Sequence, residues 1–356
     1  KTISRSVPPA LATPDSLTVE RRVDVSKWFA VLGAAFLAIT VYVFAAWILS
    51  GDATPTKPGP DPIPGYVKAF AWIYQSSGVI LLIGCIVYCV RKSRREGQIT
   101  LDAMIFFAWA TAMWLDPATN NYIRPNLLYN SYLINFGSWA PHIPGWLSPN
   151  AHLLPEPIVA YIGLYGAPGV LVAMLGNFFM RLGKRRKPQM GKLGVFLCGA
   201  AAIATFDLIL EVFLIRFQMW SYPLAIRELS IFGGTRFQFP VYESFLFGTC
   251  WAATAGLRYF RDDKGRSVVE RGALANSPNK TKSTIVRLLA VTGFVHLTYL
   301  IYSILFSWAA VYGGPYPEGY PSWMLNGMCG PGTEYVCQGP NEPIPVPGSG
   351  PTAPTP

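Results

Sequence analysis

WFAVLGAAFLAITVYVFAAWIL, residues Trp28–Leu49, holds no charged side chain anywhere along its length. At about 1.5 Å per residue it reaches across the roughly 30 Å of a bilayer's hydrocarbon. Arg21, Arg22 and Lys27 precede it. A span of this length behind positive charge reads as a membrane anchor and not as a cleaved leader.

Working outward, six more apolar runs follow: Lys68–Val90, Leu101–Leu115, Ile158–Met180, Leu193–Ile215, Val241–Leu257 and Leu288–Val311. Leu101–Leu115 is short, about 22 Å as a helix, and is expected to thin the bilayer locally or pack inside the bundle. The chain is 51% hydrophobic and 13% charged, against roughly 25% charged for a soluble domain. The expected fold is all-α, a polytopic membrane bundle of about seven transmembrane helices.

Basic residues set the orientation. Four alternate segments, before the first run, after the second, after the fourth and before the last, hold 23 of the 29 Lys and Arg residues. The other side keeps only Lys57, Lys68, Arg124, Arg216, Arg227 and Arg236. The positive-inside rule then puts the N-terminus in the cytoplasm and the C-terminus outside, in a multi-pass membrane protein. The net charge of +10 is therefore a topology signal, and its division over short loops argues against a nucleic-acid surface. The expected organisation is a flexible tail over 1–25, a membrane domain over 26–312 with an outer cover loop at 116–156, an outer tail over 313–338, and a disordered Pro/Gly-rich end over 339–356.

Within the cover loop, NSYLINFGSWAPHIPGWLS (Asn130–Ser148) is dense in aromatics and amides. Irregular backbone near a bilayer survives where protein or water satisfies it, so such a segment lines or covers a cavity. Cys85, Cys89, Cys198 and Cys250 lie in apolar runs and read as packing residues. Cys329 and Cys337 flank a Gly-Pro-Gly turn on the expected oxidising side, which favours a disulfide over a metal pair. The three histidines, His142, His152 and His296, cannot build the histidine boxes of membrane di-iron enzymes. They leave at most a single ion between His142, His152 and a carboxylate, and the expectation is no metal. Asp262–Asp263 reads as a solvated turn, and no nucleotide or nucleophile-elbow motif occurs.

The remaining chemistry lies in carboxylates. Asp207 and Glu211 are four apart in the fifth run, on one helical face with Cβ atoms about 6 Å apart. A carboxylate in a membrane helix is costly and faces a cavity or a partner, and two close together push their proton affinities apart. The competing reading is an ion network with Arg216, Arg227 or Arg236. Glu243 and Glu156 each begin a run, where a role in meeting the helix dipole stands beside a chemical one. Asp116 closes the third run and is expected to find a cation among Arg124, Arg227 and Arg236. Tyr129, Tyr132, Trp139 and Tyr242 offer aromatic walls to an apolar substrate or a developing carbocation, against the plainer role of an interfacial belt.

NSYLINFGSWAPHIPGW (Asn130–Trp146), GTRFQFPVYE (Gly234–Glu243), LRYFRDDKGRSVVERG (Leu257–Gly272) and NGMCG (Asn326–Gly330) together resemble the AveC-like spirocyclase family of bacterial membrane proteins. The likeness runs from the second hydrophobic run to Cys337. It implies a membrane enzyme of the kind that closes a dihydroxy-ketone into a spiroketal in polyketide biosynthesis, some members also dehydrating the product. Such closure needs a general acid for a departing hydroxyl and an anion or π-face beside an oxocarbenium ion. The carboxylates fit those needs. Asp207 and Glu211 are expected to supply acid and stabiliser, Glu243 the base and His142 a proton shuttle. Asp116, Arg124, Tyr129, Tyr132, Asn135, Trp139, Arg236 and Tyr242 are the expected substrate contacts, and no cofactor is required. The substrate class is a lipophilic polyketide, lipid or isoprenoid-like molecule drawn from membrane lipid surroundings. The alternative is a non-catalytic lipid-binding or accessory subunit with a protein partner in a membrane complex.

Overall fold

The computed structural model describes residues 24–148, 150–272, 277–333 and 336–337. Nine α-helices dominate these residues. They are α1 (Val25–Ser50), α2 (Gly65–Glu96), α3 (Leu101–Ala112), α4 (Asp116–Asn121), α5 (Ile158–Arg186), α6 (Lys192–Arg216), α7 (Val241–Tyr259), α8 (Lys280–Ala309) and α9 (Ser322–Leu325). The expected tails over 1–25 and 339–356 lie outside the described residues, except that Asp24 caps α1 and Val25 begins it.

Among the described residues five helical segments are long and apolar enough to cross a membrane: Val25–Ser50, Gly65–Glu96, Tyr165–Arg186, Lys192–Arg216 and Lys280–Tyr312. The third and sixth runs fall outside that set. The third run stops being one helix at Ala112, passes through a 3-10 turn at Met113–Leu115 and continues as the short α4. At 12 residues α3 covers about 18 Å, well short of the hydrocarbon. Its buried face includes Met104, Ile105, Ala108 and Trp109, so α3 serves as packing inside the bundle. α7 has 19 residues and buries Glu243, Ser244 and Thr254. Large exposed apolar side chains crowd α1, α2, α6 and α8, among them Val41, Ile48, Ile73, Ile80, Ile209 and Ile304, which is the surface lipid would cover.

The helices meet as a bundle in which α1 packs chiefly on α8, α6 on α7, and α2, α3, α6 and α7 all on α5. The α1–α8 crossing is built on two glycines. A Cβ on Gly33 would sit 2.0 Å from the Leu289 carbonyl oxygen, and one on Gly293 would sit 2.1 Å from that of Phe29. Small residues let membrane helices approach backbone to backbone, where dispersion replaces the hydrophobic driving force that lipid removes.

At the end of the bundle where α2 stops, Asp102 is fully buried and takes Arg258 Nε at 2.5 Å, Lys92 Nζ at 2.7 Å and the Tyr88 hydroxyl at 2.7 Å. Arg287 closes on the equally buried Glu270 at 2.8 Å. In the RDDKGR turn Asp262 accepts the backbone N–H groups of Lys264 and Arg266.

Two short antiparallel pairings organise the other end. β1 (Leu128–Tyr129) pairs with β2 (Trp220–Ser221) in the register Leu128↔Ser221 and Tyr129↔Trp220. β3 (Ser230–Ile231) pairs with β4 (Phe239–Pro240). The Ser322 N–H donates to Asp61 at 2.7 Å, and Ser131 N–H to the Trp323 carbonyl at 3.0 Å, tying three connecting segments together. Cys329 and Cys337 are joined, with sulfurs 2.03 Å apart.

Candidate functional site

α6 and α7 bring three carboxyl groups to one place. Asp207 is 3% exposed and accepts the Ser244 hydroxyl at 2.9 Å. One turn on, Glu211 accepts Trp220 Nε1 at 2.6 Å and the Tyr222 hydroxyl at 2.9 Å, both through Oε2. Glu243 follows Pro240 in the first turn of α7, where the missing proline N–H costs the helix nothing. Its Oε1 accepts the Tyr302 hydroxyl from α8 at 2.5 Å, and its Oε2 is buried without a donor. The Glu243 and Asp207 carboxyls also lie within hydrogen-bonding reach of each other. Such a contact is a hydrogen bond only when one of the two carries a proton. Among the described residues no ion pair joins these groups to Arg216, Arg227 or Arg236. The arginine network that competed with a chemical role is therefore not what holds them.

A second carboxyl cluster lies where α4 meets α5. Asp116 accepts the hydroxyls of Tyr161 and Tyr165, that of Tyr129 at 3.2 Å, and Asn120 Nδ2 at 2.9 Å. Glu156 takes the Tyr161 hydroxyl at 2.6 Å and Ser138 Oγ at 2.8 Å. Tyr161 has a single proton for two carboxyls, so one of the pair must supply its own. Electrostatics agrees. Burial, then the Asp116 charge, pushes Glu156 up to about 8, and burial raises Asp116 as well. The expected cation for Asp116 is replaced by hydroxyls, because Asp116 opens α4 facing the tyrosine-bearing turns of α5 rather than closing a helix beside an arginine.

Tyrosine and tryptophan join the clusters. Tyr165 and Tyr299 share a hydrogen bond of 2.6 Å, and Tyr299 stacks on Tyr302, which donates to Glu243. On the other flank Trp220, held to Glu211, meets the ring of Tyr129 with centroids 6.0 Å apart. The β1–β2 register sets that second contact. The result is a buried acidic core walled by π-faces and holding no described cation, an environment that favours neutral acids and developing positive charge.

The other expected site residues divide. Trp139 is fully buried, donates to the Trp114 carbonyl at 3.0 Å and meets the Tyr161 ring at 6.0 Å, so it backs the second cluster. Tyr242 reaches the Ile226 N–H and packs on Phe306. Arg124 is 2% exposed. Asn135 is a loop brace, accepting Thr56 and Gly137 N–H groups and donating to the Ser131 and Leu133 carbonyls. Tyr132 lies under the Lys68 ammonium. Arg236 stands over Phe237. His142 bonds Asp52 at 2.9 Å and Ser50 at 3.3 Å at the end of α1, and touches none of the five carboxyls. That position does not suit a shuttle. Among the described residues no group of three or more His, Cys, Asp or Glu side chains is placed to hold a metal ion.

Sequence reasoning passed over Tyr161, Tyr165, Tyr299 and Tyr302, and left Glu156 outside the expected site. A signal existed: tyrosines four and three apart fall on one helical face, and two such pairs occur on helices that enclose Asp116.

The family model described as Spirocyclase AveC-like matches residues 94–324, well over half of the chain and a span that holds the five carboxyls of the two clusters. The chain belongs to the AveC-like spirocyclase family. No curated protein and no solved structure matches it. In this AveC-like protein α1 and nearly all of α2 fall outside the matched span, as does the Cys329–Cys337 disulfide. Membership points to a cyclase role on a framework of membrane-compatible helices.

Proposed function

We propose that this protein is a membrane-embedded cyclase that closes a lipophilic dihydroxy-ketone or related polyhydroxylated chain into a spiroketal by acid catalysis. One observation carries the reading: Asp207 and Glu243 meet carboxyl to carboxyl, buried and without a cation, beside Glu211 and a tyrosine wall. The pair gives its proton to the hydroxyl of a hemiketal, the C–O bond breaks, and water leaves an oxocarbenium ion. Glu211 and the faces of Trp220, Tyr299 and Tyr302 stabilise that cation. The second hydroxyl attacks the carbon and returns its proton to the pair, so one water is lost and the acid is restored. The distribution of Lys and Arg supports a cytoplasmic N-terminus, with this site in the outer half of the bundle.

A spiroketal centre formed in free acid gives a mixture of configurations set by product stability. A walled site imposes one. The purified protein in neutral detergent, given a long-chain dihydroxy-ketone, is expected to speed closure and enrich a single diastereomer. Closure at the protein-free rate with the protein-free diastereomer ratio would refute the cyclase reading and favour an accessory, lipid-holding role.

A further inference from the structure

Three of the six basic residues on the proposed outer side converge on one cavity apart from the carboxyl core. It is an open cleft of about 970 Å³ lined by Arg216, Arg227, Arg236, Phe232, Phe237 and Tyr316, with Glu318 the one carboxylate in its wall. Arg216 lies over Phe232 at 4.2 Å and over Phe237 at 4.8 Å, while Arg236 approaches the same Phe237 ring at 4.9 Å. Neither Arg216 nor Arg236 makes a hydrogen bond or ion pair among the described residues, and each guanidinium rests on ring faces.

Arg227 is fixed by backbone. It donates to the Pro315 carbonyl at 2.9 Å, and its buried Nε has no acceptor. Glycines close around it: a Cβ on Gly233 would fall 2.2 Å from the Arg227 carbonyl oxygen, and one on Gly314 would fall 2.8 Å from Nε. Phe232 adopts φ 55°, a left-handed conformation costly for an aromatic residue, and that turn presents its ring to Arg216. Three guanidinium groups gathered against apolar walls repel one another unless an anion joins them.

We infer that this cavity binds the oxyanion of an amphiphile, a carboxylate or phosphate, with its apolar chain against Phe232, Phe237 and Tyr316. Guanidinium is the fitting group, since its planar N–H fork matches both oxyanions while its face stacks on rings. The volume exceeds what a lone phosphate fills. Arg216 also ends the helix that carries Glu211 five residues and Asp207 nine residues earlier, about 7 and 13 Å along the axis. An anionic head at the arginines thus lies one short chain from the carboxyls, and would be the substrate's own. That last step rests on the cyclase reading, whereas the binding does not.

The test measures binding of dodecanoate, dodecyl phosphate, dodecanol and inorganic phosphate to the purified full chain in neutral detergent. Both amphiphilic anions are expected to bind at least tenfold more tightly than dodecanol or inorganic phosphate, and to weaken with salt. R216Q combined with R236Q should lose that preference at least tenfold with melting unchanged, while R216K combined with R236K keeps part of it. Equal binding of dodecanol, an inorganic phosphate that binds as well as dodecyl phosphate, or an unaffected double Gln variant would each overturn the assignment. Loss of cyclisation with anion binding intact would indict the catalytic reading and leave this one standing.

Discussion

Tyr161 shows how much one hydroxyl can organise. It stands between Asp116 and Glu156, both at most 4% exposed, and neither has a described cation to replace it. Tyr161→Phe keeps the ring that packs on Trp139 and Tyr165 and removes only the oxygen. Leaving buried carboxyls short of a donor costs roughly 1–3 kcal/mol, so thermal unfolding in detergent should shift down measurably. A variant melting with the wild type would show that the hydroxyl bridge carries no stability. The same cluster gives a pH dependence. Glu156 is held well above its unfolded value, to about 8, so between the two values the folded chain binds more protons than the unfolded one. Stability from this cluster must therefore fall as pH rises from about 4.5 toward 8. The melting temperature is expected to drop across that range, and Glu156→Gln to flatten the drop. An equal slope in the variant would assign the titration elsewhere.

At the scale of elements, the α1–α8 crossing is the tightest join in the bundle, since Gly33 and Gly293 each face backbone. Gly293→Leu forces the helices apart and should cost about 1–3 kcal/mol or more, read as a lowered melting temperature or lost expression. Substitution at Gly84, which has open space around it, is expected to be silent by the same measures. The elements themselves were largely legible in the sequence. Apolar runs such as Trp28–Leu49 and Leu193–Ile215 became α1 and α6, because a predominantly apolar stretch of that length has one stable form in lipid. Leu101–Leu115 counted among the seven runs, yet its shortness already allowed packing inside the bundle, and that is what α3 does. The pairing of Asp207 with Glu211 was visible from spacing. Contact between Asp207 and Glu243 was not, since it depends on how α6 and α7 pack, and no local pattern records that. Asp116 was visible as an oddity, while its tyrosine partners sit on α5 and in the β1 segment, far from it in sequence.

Across the whole molecule, polar groups sort by end. Asp102, Arg258, Glu270 and Arg287 form buried ion pairs at one end, and the unpaired carboxyls with the arginine cavity occupy the other half. In the proposed orientation the first end is the cytoplasmic one. Single cysteines at the exposed positions Glu96 and Glu228, in a chain whose half-buried Cys198 is replaced by serine, test this on intact cells, because the native Cys85, Cys89 and Cys250 are buried. An impermeant maleimide should label Glu228→Cys and spare Glu96→Cys until the membrane is opened. The reverse pattern would invert the orientation. The central claim is that the Asp207–Glu243 carboxyl pair is the acid that drives ring closure. Its most direct test is the turnover of a long-chain dihydroxy-ketone by Asp207→Asn and Glu243→Gln, amides that keep shape and remove the proton. The expected result is a rate about 10²–10⁴-fold below wild type with melting within a few degrees of it. Folded variants that close the ring at the wild-type rate, with the wild-type diastereomer ratio, would contradict it.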